Sequence, residues 1–307
     1  MRIHSICLVK NEGDIIVETL TAAAEWSDFI YVYDNGSTDG TWEKVLDLAG
    51  RLPQVIAFAS EDRPFSDGLR REPFNRYRDR SSPGDWWCRL DADEIYIDSP
   101  KDFLADVPAR FDVVWAAMFQ YYFTDKDAVQ FTRNPELYGD DVPIGQKCKY
   151  YVNNWSAIRL FRYKPHLRWE SGGRPSPLTR AYHRRIRLKH YQYRSPRQIE
   201  MRFATRRAAM NHGRFRHETR GGWAQGIVAG SAPACYDDTR APESWTERVV
   251  DSSRLVYDTG ADYVIAEAVL PRISAPNPSL LRKATAGISR AAHVAWRRVR
   301  RTRRVSD

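Results

Sequence analysis

Three carboxylates crowd the end of one apolar run, Asp85-Trp86-Trp87-Cys88-Arg89-Leu90-Asp91-Ala92-Asp93-Glu94. Read as a strand, the run puts Asp91 and Asp93 on one face, two residues apart, and a following loop lets both turn toward one cation. Carboxylates this close repel unless positive charge sits between them, and a hard divalent ion such as Mg2+ or Mn2+ takes oxygen ligands of this kind. An ion so held could orient a diphosphate and stabilise it as a leaving group. The bland alternative, surface carboxylates capping the next turn, weighs about as much on the short motif alone. A second acidic loop, Asp34-Asn35-Gly36-Ser37-Thr38-Asp39-Gly40, follows the β-rich run Phe29-Ile30-Tyr31-Val32-Tyr33. There the Asp34 carboxylate could accept a hydrogen bond from a nucleobase N–H, while Asp39 caps the helix that starts near Gly40.

These groups need a frame that brings them together. Apolar runs at 2–9, 29–34, 54–59, 86–91 and 112–123 alternate with helical patterns at 13–25, 40–50 and 68–80. That alternation predicts an α/β fold, a mostly parallel sheet flanked by helices and joined by right-handed crossovers. Such sheets bind ligands beyond the carboxyl ends of their strands, where Lys10-Asn11-Glu12-Gly13 and the two acidic loops should meet. Neither GxGxxG nor GxxxxGK[ST] occurs, which argues against a dinucleotide fold or a P-loop. Beyond residue 124 a polar, Gly/Pro-punctuated stretch to about 154 reads as a loop over the site. Strand-like runs resume at 155–163 and 186–193, and Ser195-Pro196-Arg197-Gln198 opens a helix to about 211. Another helix is expected near 243–258.

Composition bounds the rest. The 307 residues, 42% of them hydrophobic, suffice for one large α/β domain. No run approaches the ~20 apolar residues of a membrane span, and the N-terminus lacks a signal-peptide core, so a cytoplasmic chain is expected. The four cysteines are scattered without zinc-like spacing and read as buried thiols. Of the formal net charge of +9, nearly all lies in residues 279–307, which hold nine Lys or Arg and one acid. That segment also places Leu281, Ala284, Ile288, Ala291, Ala295 and Val299 at helical spacing, a basic amphipathic tail. The expected organisation is a sheet domain over 1–213, a less regular extension over 214–278 and the tail.

Ile6-Cys7-Leu8-Val9-Lys10-Asn11-Glu12, then Asp34 to Thr41, then Asp91-Ala92-Asp93-Glu94 resemble, in order, the motifs of the family 2 glycosyltransferases of GT-A fold. Ile158-Arg159-Leu160-Phe161-Arg162, Glu170 and Leu188-Lys189-His190-Tyr191 are similar to the branch with lipopolysaccharide core β-glucosyltransferases. The resemblance covers roughly residues 3–205. It implies a GT-A-like (Rossmann-like) domain, a nucleotide-diphosphate sugar as donor, Mg2+ or Mn2+ as cofactor, inversion at the anomeric carbon, and a hydroxyl acceptor on a glycolipid or polysaccharide precursor. By the same resemblance Asp34 would contact the base, Asp91 the ribose or metal, Asp93 the metal, and His190 would complete the metal shell. Lys10, Asn11, Glu12 and Asn35 would line the nucleotide pocket, with Arg71 and Asn75 reaching the sugar or diphosphate. Inverting transfer needs a base for the acceptor hydroxyl, and Glu170 is the expected one. Trp169 stands where the family often has His, and an aromatic there could stack on a sugar ring. Lys147, Lys149 and Lys189 could neutralise diphosphate.

Two rival classes stay open at this level. An Asp-x-Asp phosphatase usually carries Thr or Val two positions after the second Asp and places the motif near the first strand; here Ile95 stands there and three strands precede. A non-catalytic adaptor would use the basic tail. That tail could bind anionic lipid at ~1 kcal/mol per basic residue, and its apolar stripe with Trp296 favours a membrane surface over nucleic acid.

Overall fold

Every residue from Ile3 to Val9 is buried, the pattern of a strand covered on both faces. The computed structural model describes residues 1–210 and 244–269. Strand β1 (Ile3–Val9) is followed by α1 (Ile16–Ala24), β2 (Phe29–Asp34), α2 (Thr41–Arg51), β3 (Val55–Ser60), α3 (Arg71–Tyr77) and β4 (Trp86–Asp91). These strands pair in parallel as β3-β2-β1-β4, so the repeated strand–helix reading of the first ninety residues matches the fold. Helix α3 is shorter than its predicted 68–80, because 3-10 turns at Asp67–Arg70 and Arg78–Arg80 take both ends.

The sheet continues through β5 (Glu94–Tyr96), α4 (Pro100–Ala105), β6 (Val113–Tyr121), α5 (Asp125–Arg133), α6 (Ile144–Lys147), β7 (Tyr150–Arg162), β8 (Ile186–His190), α7 (Pro196–Met210) and β9 (Val256–Tyr257). Its order is β3-β2-β1-β4-β7-β6-β8-β5, with β9 on β7. Of the nine described strands, β5 and β7 run against the other seven. The result is an α/β sheet in which most strands share one direction and helices cover it.

Two expectations give way here. The stretch 124–154 is not a bare loop. It holds α5, opened by a capping box in which Thr124 Oγ1 accepts from the Asp127 N–H and Asp127 accepts from the Thr124 N–H at 2.8 Å. Residues 244–258 form 3-10 turns at Trp245–Arg248 and Ser252–Arg254 and then β9 rather than a helix. The chain divides into two units, Met1–Leu270 and Pro271–Asp307, and the predicted tail at 279–307 lies outside the described residues.

Strand alternation sorts the core. Trp86, Cys88 and Leu90 join Ile3, Cys7 and Val9 against α1 and α2, while Trp87 joins Ile6, Tyr31, Phe74, Phe161 and Trp169 on the α3 side. Cys7, Cys88 and Cys148 are buried free thiols, and Cys235 lies outside the described residues. Burial pushes the Cys88 thiol up to about 12, so it packs as a small apolar side chain.

Candidate functional site

Where β1, β2 and β4 end, their loops meet the 61–70 segment, the end of β8 and one face of α7 around a cavity of about 480 Å³. That volume suits a small-molecule ligand. Helix α7 begins as expected: Ser195 Oγ accepts from the Gln198 N–H at 3.2 Å, and Gln198 Oε1 accepts from the Arg194 N–H at 3.1 Å. Gln198, Arg202, Thr205 and Arg206 of α7 face the cavity.

The two acidic loops are organised differently from what their sequence suggested. Asp34 is buried and accepts from the Gly36 N–H at 3.2 Å, the Ser37 N–H at 3.1 Å, Ser60 Oγ at 2.6 Å and Ser37 Oγ. Its carboxylate is consumed in shaping the loop and does not line the cavity. Asn35 does: its amide nitrogen donates to the carbonyls of Arg63 at 2.8 Å and Glu61 at 3.2 Å, and its buried Oδ1 has no partner. Asp39 fulfils its capping role, accepting from the Thr41 N–H at 3.1 Å and from the Gly13 N–H at 2.9 Å. Asn11 adopts a left-handed φ of 56°, which Asn tolerates, and its Oδ1 accepts from the Thr38 N–H at 2.8 Å. Lys10 Nζ donates to the Asn35 carbonyl at 2.9 Å and to Asp62 at 3.0 Å.

Asp91 and Asp93 both line the cavity but take different partners. Asp91 is the last residue of β4, and a turn follows before Glu94 opens β5. Asp91 therefore points to the α3 side, where Arg70 holds Oδ1 and Arg159 holds Oδ2 at 2.7 Å. Arg159 is shared with buried Glu94, its Nε donating at 2.8 Å and 3.0 Å. Burial pushes Asp91 up, but Arg159 and Arg70 outweigh it and hold the carboxyl below its ordinary range. Glu94 is raised by burial despite Arg159. With both oxygens in guanidinium contacts, Asp91 is neither a bare metal ligand nor a presented nucleophile of the phosphatase type.

Asp93 turns instead toward β8. Its Oδ2 lies 3.3 Å from His190 Nε2 and 3.8 Å from Arg202. Burial opposes ionisation of Asp93, but His190 and Arg202 prevail and hold it well below the usual carboxylate range. His190 is raised correspondingly: burial disfavours its cation, and Asp93 more than compensates. Next to this pair, fully buried Arg194 donates to Asp14 at 2.6 Å and 2.8 Å and to Glu12 at 2.5 Å. Glu12 is pushed up to about 7 by burial, with Arg194 opposing and Asp93 adding to the rise.

Among the described residues no group of three His, Cys, Asp or Glu side chains is arranged to hold a metal ion. The pair Asp93 and His190 nonetheless fits Mg2+ or Mn2+. Such ions are commonly held by one or two protein ligands, with substrate phosphates and water supplying the rest. A carboxylate oxygen and an imidazole nitrogen 3.3 Å apart on the cavity lining form such a donor pair. Of the anticipated ligand set, Asp93 and His190 are paired, and Asp91 lines the same cavity with its oxygens on Arg70 and Arg159.

The remaining expected residues lie outside the cavity lining. Arg71 donates to the Glu170 carbonyl at 3.1 Å and Asn75 to the Trp169 carbonyl at 3.1 Å, so both brace the 169–173 loop. Trp169 is buried against Phe74 and Phe161 and is no sugar platform. Glu170 is exposed on that loop, which touches the cavity rim at Gly173, where an added Cβ would stand 3.2 Å from Asp67 Cβ. Lys147 donates to the Gly139 carbonyl at 2.8 Å and Lys189 to Asp258 at 2.9 Å, and neither lines the cavity. Sequence reasoning passed over Arg70, Arg159, Arg194 and Arg202, which reach carboxylates far along the chain at Asp91, Glu94, Asp14 and Asp93. Arg159 stood within the Ile158–Arg162 run without a role.

No family model and no curated protein matches the chain. Among solved structures, a crystal structure of S. aureus TarS is 21% identical with TM-score 0.30, over 39% of this chain and 22% of that one. Mannosyltransferase PcManGT from Pyrobaculum calidifontis, in complex with GDP-Man and Mn2+, is 19% identical with TM-score 0.32, over 52% and 44%. S. aureus TarS 1-349 is 14% identical with TM-score 0.31, over 68% and 65%. The chain thus spans less than two thirds of each of these proteins. Overlays this partial carry no weight for the chemistry, which rests on the cavity's own residues.

Proposed function

We propose that this protein is a glycosyltransferase of the GT-A, family 2 type that moves a sugar from a nucleotide-diphosphate sugar to a hydroxyl acceptor, with inversion. The observation that carries the reading is the Asp93–His190 pair, set on a cavity at the carboxyl ends of β1 and β4 and flanked by Lys10, Asn11, Glu12 and Asn35. A divalent ion bound there would neutralise the diphosphate and stabilise it as it leaves. Asp93 and His190 would hold it, as Mg2+ or Mn2+.

The chain's own residues do the remaining work. Lys10, Arg63, Arg70, Arg202 and Arg206 place five basic side chains on the cavity lining, where they attract and orient a polyanion. Asn35, with its unpartnered Oδ1, is the base-facing group, and Asp34 serves by holding the loop that presents it. Arg70 and Arg159 keep Asp91 ionised and engage both its oxygens, so Asp91 shapes the floor through its arginines. Arg71 and Asn75 set the backbone of the loop bearing Glu170, the group assigned to take the acceptor proton. No described helix is long and apolar enough to cross a membrane. The basic segment 279–307 is assigned to an anionic membrane surface on the cytoplasmic side, near a glycolipid or polysaccharide acceptor.

Calorimetric titration of UDP-, GDP- and dTDP-sugars, with and without Mn2+, tests the reading. One donor is expected to bind with strong metal dependence, and Asp93→Asn is expected to abolish that dependence while keeping the fold. Metal-dependent donor binding undiminished in Asp93→Asn refutes the assignment.

A further inference from the structure

Strands β6 and β8 run side by side in parallel, and their register sets Gln120 beside His190. The His190 ring is held from both ends: Nδ1 lies 3.3 Å from Gln120 Oε1, and Nε2 lies 3.3 Å from Asp93 Oδ2. The Gln120 amide is itself fixed. Its Nε2 donates to Asn154 Oδ1 at 2.9 Å, and its Oε1 also accepts from Gln192 Nε2 at 2.7 Å. Gln192 Nε2 also reaches Tyr122 Oη at 3.3 Å. Asn154 takes part because β7 carries an extra residue there. Met118 faces Trp155 and Phe119 faces Asn153, leaving Asn154 unpaired in the ladder between them.

An amide held in this sense presents oxygen, not nitrogen, to the ring. An oxygen can only accept, so the contact requires the proton on Nδ1. Without a cation the ring carries both protons, Nδ1–H on Gln120 and Nε2–H on Asp93; when a cation takes the place of the Nε2 proton, Gln120 still holds the one on Nδ1.

We propose that Gln120 is a positioning residue that holds the Nδ1 proton of His190 and keeps Nε2 turned toward Asp93, where a divalent cation can take the place of the Nε2 proton. The proposal rests on the metal reading of the Asp93–His190 pair. Gln120 touches neither the ion nor the donor; it acts through His190, as outer-shell partners of metal-binding histidines commonly do. The bulge at Asn154 and the amide of Gln192 are the supports that keep Gln120 in the productive sense.

The test is Mn2+ binding, read from the electron paramagnetic resonance of free Mn2+, with UDP or GDP present. It compares the parent with Gln120→Leu, Gln120→Glu, His190→Ala and the Gln120→Leu/His190→Ala double variant. Gln120→Leu removes the acceptor and is expected to weaken Mn2+ by roughly 10–100-fold. Gln120→Glu keeps an acceptor and is expected to bind at least as well as the parent. In the His190→Ala background, Gln120→Leu is expected to add nothing. In protein labelled with 15N-histidine and loaded with Mg2+ and UDP or GDP, long-range 15N–1H correlations should show His190 with its proton on Nδ1 in the parent and lose that preference in Gln120→Leu. Parent-like affinity in Gln120→Leu, an equal loss in the His190→Ala background, or a His190 ring without a proton on Nδ1 in the Mg2+-loaded parent each overturns the proposal while leaving the metal reading intact. A parent that binds no Mn2+ with either nucleotide overturns both.

Discussion

Replacing Arg194 by Met is expected to cost about 3–5 kcal/mol of folding stability, the range for removing one partner of a buried ion pair. Arg194 is fully buried and gives hydrogen bonds to Asp14 at 2.6 Å and 2.8 Å, to Glu12 at 2.5 Å and to the Tyr191 carbonyl at 2.6 Å. Met retains much of the volume, so the loss is electrostatic. Two carboxylates whose side chains are only 13% and 8% exposed are left near each other and near Asp93. The exposed pair Arg51–Asp47, with side chains 61% and 63% exposed, is the control, and Arg51→Met should cost under about 1 kcal/mol.

For a body of this size the Arg194 loss corresponds to a fall in Tm of roughly 6–20 °C. The deficit should also depend on pH. In the parent, burial pushes Asp14 up but Arg194 outweighs it, so Asp14 sits below its ordinary value. Its stabilisation is present above the unfolded pKa and is lost as pH falls through the folded one. Glu12, raised by burial from 4.5 to about 7, runs the other way: its contribution is full below 4.5 and gone as pH rises past about 7. Without Arg194 both carboxyls move up, so the deficit should grow steadily with pH, smaller at about pH 5 than at about pH 8. Urea unfolding and calorimetry at several pH values read this directly. A loss under about 1 kcal/mol, or a deficit that does not change with pH, refutes the claim that Arg194 anchors the loop after β1.

Three further outcomes are expected. Gly36 has φ of +72° and an added Cβ would lie 2.7 Å from Asp62 Cα, so Gly36→Ala should cost about 1–3 kcal/mol and lower the melting temperature. Glu170→Gln should leave donor binding unchanged while slowing transfer by about 10²–10⁴-fold, and a parent-like rate would remove Glu170 as the base. Deleting 279–307 should abolish co-sedimentation with anionic vesicles at low salt, and an unchanged bound fraction would count against a membrane role.

The four parallel strands at the start of the chain were legible because each is an apolar run, and β1, β2 and β4 are largely buried. Helix α5 was missed although Thr124 and Asp127 spell its capping box, because the surrounding polarity suggested a loop. Strand β5 has three residues, too few for any pattern. In the site, the meeting of Asp93 with His190 came from the resemblance, not from spacing. The separate fate of Asp91 could not be read in advance: a strict strand reading puts Asp91 and Asp93 on one face, and the turn after Asp91 breaks that alternation. The arginines were invisible for another reason. Arg159 meets Asp91 across 68 positions of sequence, and an arginine without its partner reads as an ordinary solvated residue.

Arg194 and Asp14 are separated by 180 positions, and that separation has a meaning in time. At the ~5–20 residues per second of synthesis, the loop after β1 waits about 10–35 s for its counter-charge to be made. Through that interval Glu12 and Asp14 are tolerable only in water, so the cavity cannot close on the growing chain. The strands before residue 91 can pair as they emerge, but the pocket belongs to the last stretch of synthesis. A stalled or truncated chain ending before Arg194 would carry most of the sheet and no working site.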